Sequence, residues 1–392
     1  MQDHSRYYDL VPALKFIDNN TVRADRGLLP YPDPLEKFPE EFSELGVYDD
    51  AARHLPQWLY SGCARQELEK LPVLPVEHLE GPVLDLAFRH FSFFVSAYAW
   101  ADCVEDPDAP HAKVIPENLS LLICRVAQKL GVMPILQYYY YTLYDFALLD
   151  PSRPFTIRNM RVLQHFTIPP WAQHEAGFIL SHVEIGAEAG PGLTAIPPAK
   201  LAAYRDDRDS YIINCWAIHD ALNVMTETMK SIPRVCSPKI YWRHVRPWIF
   251  YFTDIMYDGV GFFQKLKGQT GAESSEVESF DIALGVLHKK SELTDHLHEL
   301  RSYRPPGHQA WLDAITQGSS LRAYALEHTD DPDVKDAHNA ACQALVDFRK
   351  AHRRNTHIYI KEPGRGDIAT GLTHYELFLD QLIKETEDTM IP

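Results

Sequence analysis

The chain has 392 residues, 45% hydrophobic and 23% charged, the proportions of a folded globular protein with two or three domains' worth of core. A formal net charge of −16 repels phosphate backbones and argues against a nucleic-acid partner. There is no long uncharged apolar stretch to span a membrane and no basic-then-apolar start to act as a secretory signal. The six cysteines are scattered without a CxxC pair, which points to a reducing cytoplasm rather than a disulfide or zinc framework.

The first eighty residues carry Pro30, Pro32, Pro34, Pro39, Pro56, Pro72 and Pro75, which predicts short helices joined by extended turns. A buried helix is predicted over 84–100, a loop over 107–116 and a helix over 117–130. The aromatic segment 135–149 follows, with Tyr138, Tyr139, Tyr140, Tyr141 and Tyr144. The run Asp150-Pro151-Ser152-Arg153-Pro154 reads as a linker, dividing a smaller N-terminal domain (1–152) from a large all-helical domain (153–392). In the second part helices are predicted over 156–166, 173–190, 198–230, 238–258, 276–290, 291–302, 308–316, 332–359 and 373–387. Residues 267–272 form a small polar loop, and 364–371 a glycine-punctuated one before the last helix. The fold class is therefore mainly α.

Placement must choose among nineteen histidines. Val334, Ala341, Leu345, Phe348, His352 and Tyr359 recur at three-, four- and seven-residue steps, one stripe of a helix, so His352 points to the core. Two readings stay open: a core histidine bonded to a carbonyl, or an axial heme ligand held toward iron from an apolar face. Arg349 and Arg353 flank it. His182 shares a stripe with Phe178, Ile185 and Ala189, and is either a core residue or a polar group over a bound ligand. His296 and His298 project about 200° apart on a helix, cannot share an ion, and read as surface histidines. The basic clusters at Arg243-His244-Val245-Arg246 and around Arg349 to Arg354 read as solvated faces or as anion sites. HExxH, GxGxxG, the P-loop and GxSxG are all absent from the sequence.

Ordered motifs then run along most of the chain at nearly constant spacing. They include Gly27-Leu28-Leu29-Pro30, Ala52-Arg53-His54-Leu55-Pro56, Leu74-Pro75-Val76-Glu77-His78-Leu79, Ala97-Tyr98-Ala99-Trp100 and Pro134-Ile135-Leu136 before Tyr138. Val183-Glu184-Ile185, Pro238-Lys239 with Arg246, Ser274-Ser275 before Phe280-Asp281, and Tyr303-Arg304-Pro305-Pro306-Gly307-His308 continue the series. Ala344-Leu345 with Arg349 and His352, then Ala369-Thr370-Gly371, complete it. From about Gly27 to Leu379 the chain resembles the indoleamine 2,3-dioxygenases.

The resemblance implies a two-domain helical fold with heme b in the larger domain, O2 as co-substrate, and a small indole substrate, an amino acid, acted on by a monomer. It maps His352 onto the proximal iron ligand, with Asp281 and Arg349 as a buried ion pair beside it. Arg246 matches the arginine that pairs with the substrate carboxylate. Tyr138, Tyr241 and Trp242 match the indole pocket, Thr270 and Gly271 the loop roofing the heme, and Thr370 and Gly371 the loop that closes over substrate. Where the family has a distal serine, ungapped counting puts Leu180, with Ser181 and His182 adjacent; His182 is the candidate catalytic group and Ser181 a candidate substrate contact. Tyr139 to Tyr141 stand where the family has smaller residues, so a rebuilt pocket is expected. The implied reaction inserts O2 across the indole C2–C3 bond. The alternatives are monooxygenation or rearrangement of a modified indole, and a non-catalytic heme sensor, which would need no carboxylate clamp.

Overall fold

The structure, a computed structural model, describes residues 4–363, 369–371 and 374–392. The mainly helical class holds. In the proline-rich opening, helix α1 (Gly46–Tyr60) runs longer than composition predicts and carries Pro56 inside. Helix α2 (Gly81–Trp100) is buried nearly all round and threads the core through Leu86, Phe88, Phe91, Phe94 and Val95. Strand β1 (Val114–Ile115) leads into helix α3 (Glu117–Leu130), which stops at Gly131, whose φ of 71° suits a residue without a side chain.

Two predicted helices are absent. Residues 156–166 instead hold β3 (Met160–Val162), antiparallel to β2 (Phe146–Leu148) with Phe146 opposite Val162. Residues 238–258 break into one helical turn at Pro238–Ile240, a wide turn at Tyr241–Val245, a tight one at Arg246–Ile249, and strand β4 (Phe252–Tyr257). Strand β4 pairs in parallel with β1 and antiparallel with β5 (Gly261–Leu266). Trp248, Phe252 and Ile255, spaced four and three apart, imitate a helix stripe, and only the neighbouring strands decide otherwise.

The remaining helices are those expected, with shifted ends. They are α4 (Ala172–Glu188), α5 (Gly190–Tyr204), α6 (Arg208–Val235), α7 (Ser275–Leu284), α8 (Glu292–Leu300), α9 (Pro306–Thr316), α10 (Pro332–Thr356) and α11 (Tyr375–Glu387). The predicted helix 198–230 is split because Asp206 adopts a φ of 54° and Asp207 caps α6 by accepting from Ser210 N at 3.2 Å. Asp331 caps α10 in the same way. Helices α6 and α10 pack along their length, and Asn355 donates to Met229 O at 2.7 Å between them.

The boundary drawn at 152/153 falls in the connection of the β2–β3 hairpin. Aromatic packing runs across it, Phe93 stacking on Phe166 (4.6 Å) and Phe166 on Trp248 (5.4 Å). The division into 1–152 and 153–392 is a proposal about location within one shared core.

Candidate functional site

A cavity of about 400 Å³ lies among α4, α6, α7, α8, α10 and α11, within the size range of small-molecule sites. The α10 stripe delivers His352 to its wall one turn beyond Phe348. No group among the described residues hydrogen-bonds the imidazole, so the carbonyl-bonded core reading fails. Burial first, then His182 and Arg349, push His352 down to about 4, which keeps the ring neutral with a lone pair to offer. A Cβ at Gly271 would lie 3.7 Å from His352 Nε2, so glycine at this position keeps open the space before that nitrogen. Phe348, Val277, Ile282, Ile360, Phe378 and Leu379 make the surrounding wall apolar. A neutral, unbonded imidazole in an apolar cleft has the chemistry that would hold a heme iron.

Asp281 and Arg349 also reach the wall and meet as expected, Arg349 Nη2 donating to both Asp281 oxygens at 2.6 and 2.5 Å. The sequence did not disclose what stands behind them. His288 lies between Asp281 (3.6 Å) and Glu385 (2.7 Å), and Arg349 also donates to Leu382 O and Thr386 Oγ1. Burial opposes ionisation of Asp281, but Arg349 and His288 outweigh it and hold the carboxyl below its ordinary range.

Tyr138, Phe178, His182 and Tyr241 also line the cavity. His182 Nδ1 lies 2.7 Å from Phe178 O, one turn back on α4, so that nitrogen carries the proton and Nε2 is left as an acceptor. Its ring packs against Phe178 (4.4 Å) and edge-on to Tyr138 (5.8 Å). Burial pulls His182 below its ordinary range, so it too stays neutral. The roof is tied to this wall by Glu273, a residue the sequence did not single out: its carboxyl accepts from Tyr138 N at 2.9 Å and Thr270 N at 3.2 Å. Thr370 donates to Gln269 O at 2.5 Å, and a Cβ at Gly371 would lie 3.0 Å from Thr270 Cγ2, so the two loops touch. The 364–368 part of the glycine-punctuated loop lies outside the described residues.

Other predicted residues stand away from the wall. Ser181 is fully buried, its hydroxyl donating to Gly177 O at 2.6 Å, and Leu180 packs with Leu143 and Val183; of the three adjacent candidates on α4, His182 faces the cavity. Arg246 is buried outside the cavity lining, its guanidinium between the rings of Trp242 (4.3 Å) and Phe250 (4.2 Å). Burial lowers Arg246 to about 10. Trp242 is accordingly a ring beneath Arg246, outside the cavity lining.

The expectation of a pocket rebuilt by Tyr139 to Tyr141 is corrected. The wide turn at Tyr139–Leu143 sends Tyr140 to Asp85 (2.7 Å), Tyr141 to Glu175 (3.2 Å) and Tyr139 against His308. The basic clusters are corrected in part: Arg349 and Arg246 are buried, Arg243 donates to the carbonyls of Cys103, Val104 and Glu105, and only Lys350, Arg353 and Arg354 lie on a surface face. The surface reading holds for His298 and fails for His296, which is 5% exposed on the cavity wall. The 200° between them turns one of the pair inward.

Known proteins share this arrangement of sequence. A family model described as indoleamine 2,3-dioxygenase matches residues 17–380. Indoleamine 2,3-dioxygenase 1 of Rattus norvegicus is 29% identical over 373 residues, covering 92% of this chain and 89% of the relative. Indoleamine 2,3-dioxygenase 2 of Homo sapiens is 28% identical over 330 residues (82% and 78%). A 6-hydroxytryptophan 2,3-dioxygenase of Fusarium equiseti is 23% identical over 365 residues (89% and 86%). With the helical fold, the neutral His352 and a match over nearly the whole length, the chain belongs to the indoleamine 2,3-dioxygenase family and is a heme-dependent dioxygenase of the indole type.

Proposed function

We propose that the chain inserts both atoms of O2 across the indole C2–C3 bond of tryptophan or a ring-substituted tryptophan, giving an N-formylkynurenine-type product. The observation that carries this reading is a largely apolar cavity with neutral His352 and neutral His182 both on its wall. His352 is the residue to hold the iron. When bound, the heme supplies the iron chemistry that activates O2.

The chain's own residues bind and orient. His182 Nε2, the acceptor left by the bond to Phe178 O, takes the hydrogen bond of the indole N–H and fixes the rotation of the ring. Tyr138, Phe178 and Tyr241 hold the ring by packing, so that the reacting carbons meet oxygen in one orientation. The carboxylate of an amino-acid substrate is assigned to Arg246 on the family match, its planar fork suiting that group; the guanidinium must leave its place between Trp242 and Phe250, outside the cavity lining, to reach it. Thr270, Gly271 and the Thr370–Gly371 segment exclude water from above. Ring-substituted substrates belong to this reading because a relative is named for 6-hydroxytryptophan.

We assign the activity to a monomer working on a small molecule in the cytoplasm, without nucleic acid or membrane. No helix among the described residues is long and apolar enough to cross a membrane. The test is His352→Ala, which should leave a folded helical protein that fails to retain heme. A normal histidine-ligated ferrous spectrum in that variant would overturn the assignment. In the intact enzyme, labelled O2 should place both of its oxygens in the product; one labelled atom would mean monooxygenation.

A further inference from the structure

His296 projects inward from α8 and is 5% exposed. Its Nδ1 is met by the Lys267 ammonium, itself held by Glu299 at 2.9 Å. An ammonium has only hydrogen to offer, so Nδ1 accepts and the single ring proton sits on Nε2. Burial, with Lys267 and Lys265 close by, pushes His296 down to about 3, so the ring stays neutral. The Nε2–H has no partner among the described residues, although the ring lies on the cavity wall. Buried donors are rarely left unmatched.

The neighbouring cations do not compete for this role. Arg304 is committed to Glu278 and to the carbonyls of Glu273 and Ala272, and Arg301 to Glu278. His296 is thus an oriented donor backed by an ammonium, a pairing that favours a charged acceptor. The heme and an amino-acid substrate both bring carboxylates to this cavity. Placement favours the heme. Helix α8 packs on the Gly271–Glu273 turn that passes His352, and His296 lies 6.0 Å from Phe378 of α11. The ring-packing residues Tyr138, Phe178, His182 and Tyr241 come from other segments.

We propose that His296 donates its Nε2–H to a carboxylate of the heme, with Lys267 and Glu299 fixing the tautomer, as a second docking point besides His352. The inference rests on heme occupying this cavity. The experiment reconstitutes the full chain with heme b or with heme b dimethyl ester and follows transfer of each to apomyoglobin. The unaltered protein should release the ester about ten- to a hundredfold faster than heme b, the worth of a charge-assisted hydrogen bond. His296→Leu should release heme b about tenfold faster while holding the ester as the unaltered protein does. His296→Gln, which keeps an N–H, should recover part of the difference. An unchanged acid-to-ester ratio in His296→Leu overturns the proposal. So does an unchanged ratio with weakened tryptophan binding, which would give the donor to the substrate. Failure of the unaltered chain to take up heme b would instead bring down the cofactor reading itself.

Discussion

Two carboxylates converge on His288, Asp281 from α7 and Glu385 from α11, with Arg349 of α10 on the far side of Asp281. Burial alone would lower the imidazole's pKa, but Asp281 and Glu385 outweigh burial and the repulsion of Arg349, and hold it above its ordinary 6.5. A group raised on folding stabilises the protein fully below its unfolded pKa, and that share is lost as pH rises through the folded value. Stability should therefore show a component that declines from about pH 6.5 upward, and His288→Gln should abolish it. Urea midpoints of both proteins across pH check this, and parallel curves would refute it. Arg246→Leu belongs to the same scale. It should raise KM for an amino-acid indole about ten- to a hundredfold and leave KM for a decarboxylated indole nearly unchanged. An equal rise for both would mean that Arg246 supports the wall through its stacking on Trp242 and Phe250. His352 was legible from sequence because it lies on an apolar stripe of its helix. His288 and His296 were not, because their partners come from distant segments.

At the level of elements, the cavity depends on how closely α4 approaches the end of α6. Gly177 sets that distance: a Cβ there would fall 2.5 Å from Val235 O and 2.9 Å from its carbonyl carbon. Backbone cannot yield as a side-chain tip would, so Gly177→Ala must push the helices apart, at a cost of about 1–3 kcal/mol. Phe178 and His182 ride on α4, and Met229 and Ile232 on α6, so the same change should widen the cavity. Denaturation midpoints together with heme retention measure both effects, and an unchanged midpoint would mean the contact is soft. Helices α2, α3, α4 and α10 were readable from periodicity within a few residues at most. The β4–β5 hairpin was hidden, because Trp248, Phe252 and Ile255 carry helical spacing and only β1 and β5 supply the missing hydrogen bonds.

For the whole molecule, the core is shared across the proposed division. Strand β2 needs β3, and Phe93 of α2 stacks on Phe166 beyond the boundary. A fragment of residues 1–152 should therefore fail to show a cooperative urea transition, because its apolar faces lose their cover. A sigmoidal transition in the isolated fragment would make it an independent domain. Sequence by itself determined the helical class, the family, and the inward aim of His352 and His182, because periodicity and ordered motifs are local or collinear quantities. Tertiary structure alone decided which of Leu180, Ser181 and His182 reaches the cavity, and how Glu273 ties the roof to Tyr138. It also decided that Tyr139 to Tyr141 turn away and that His296 presents a donor without a partner among the described residues. Each of these depends on contacts between residues far apart in the chain, and spacing along one helix carries no information about what the facing helix presents.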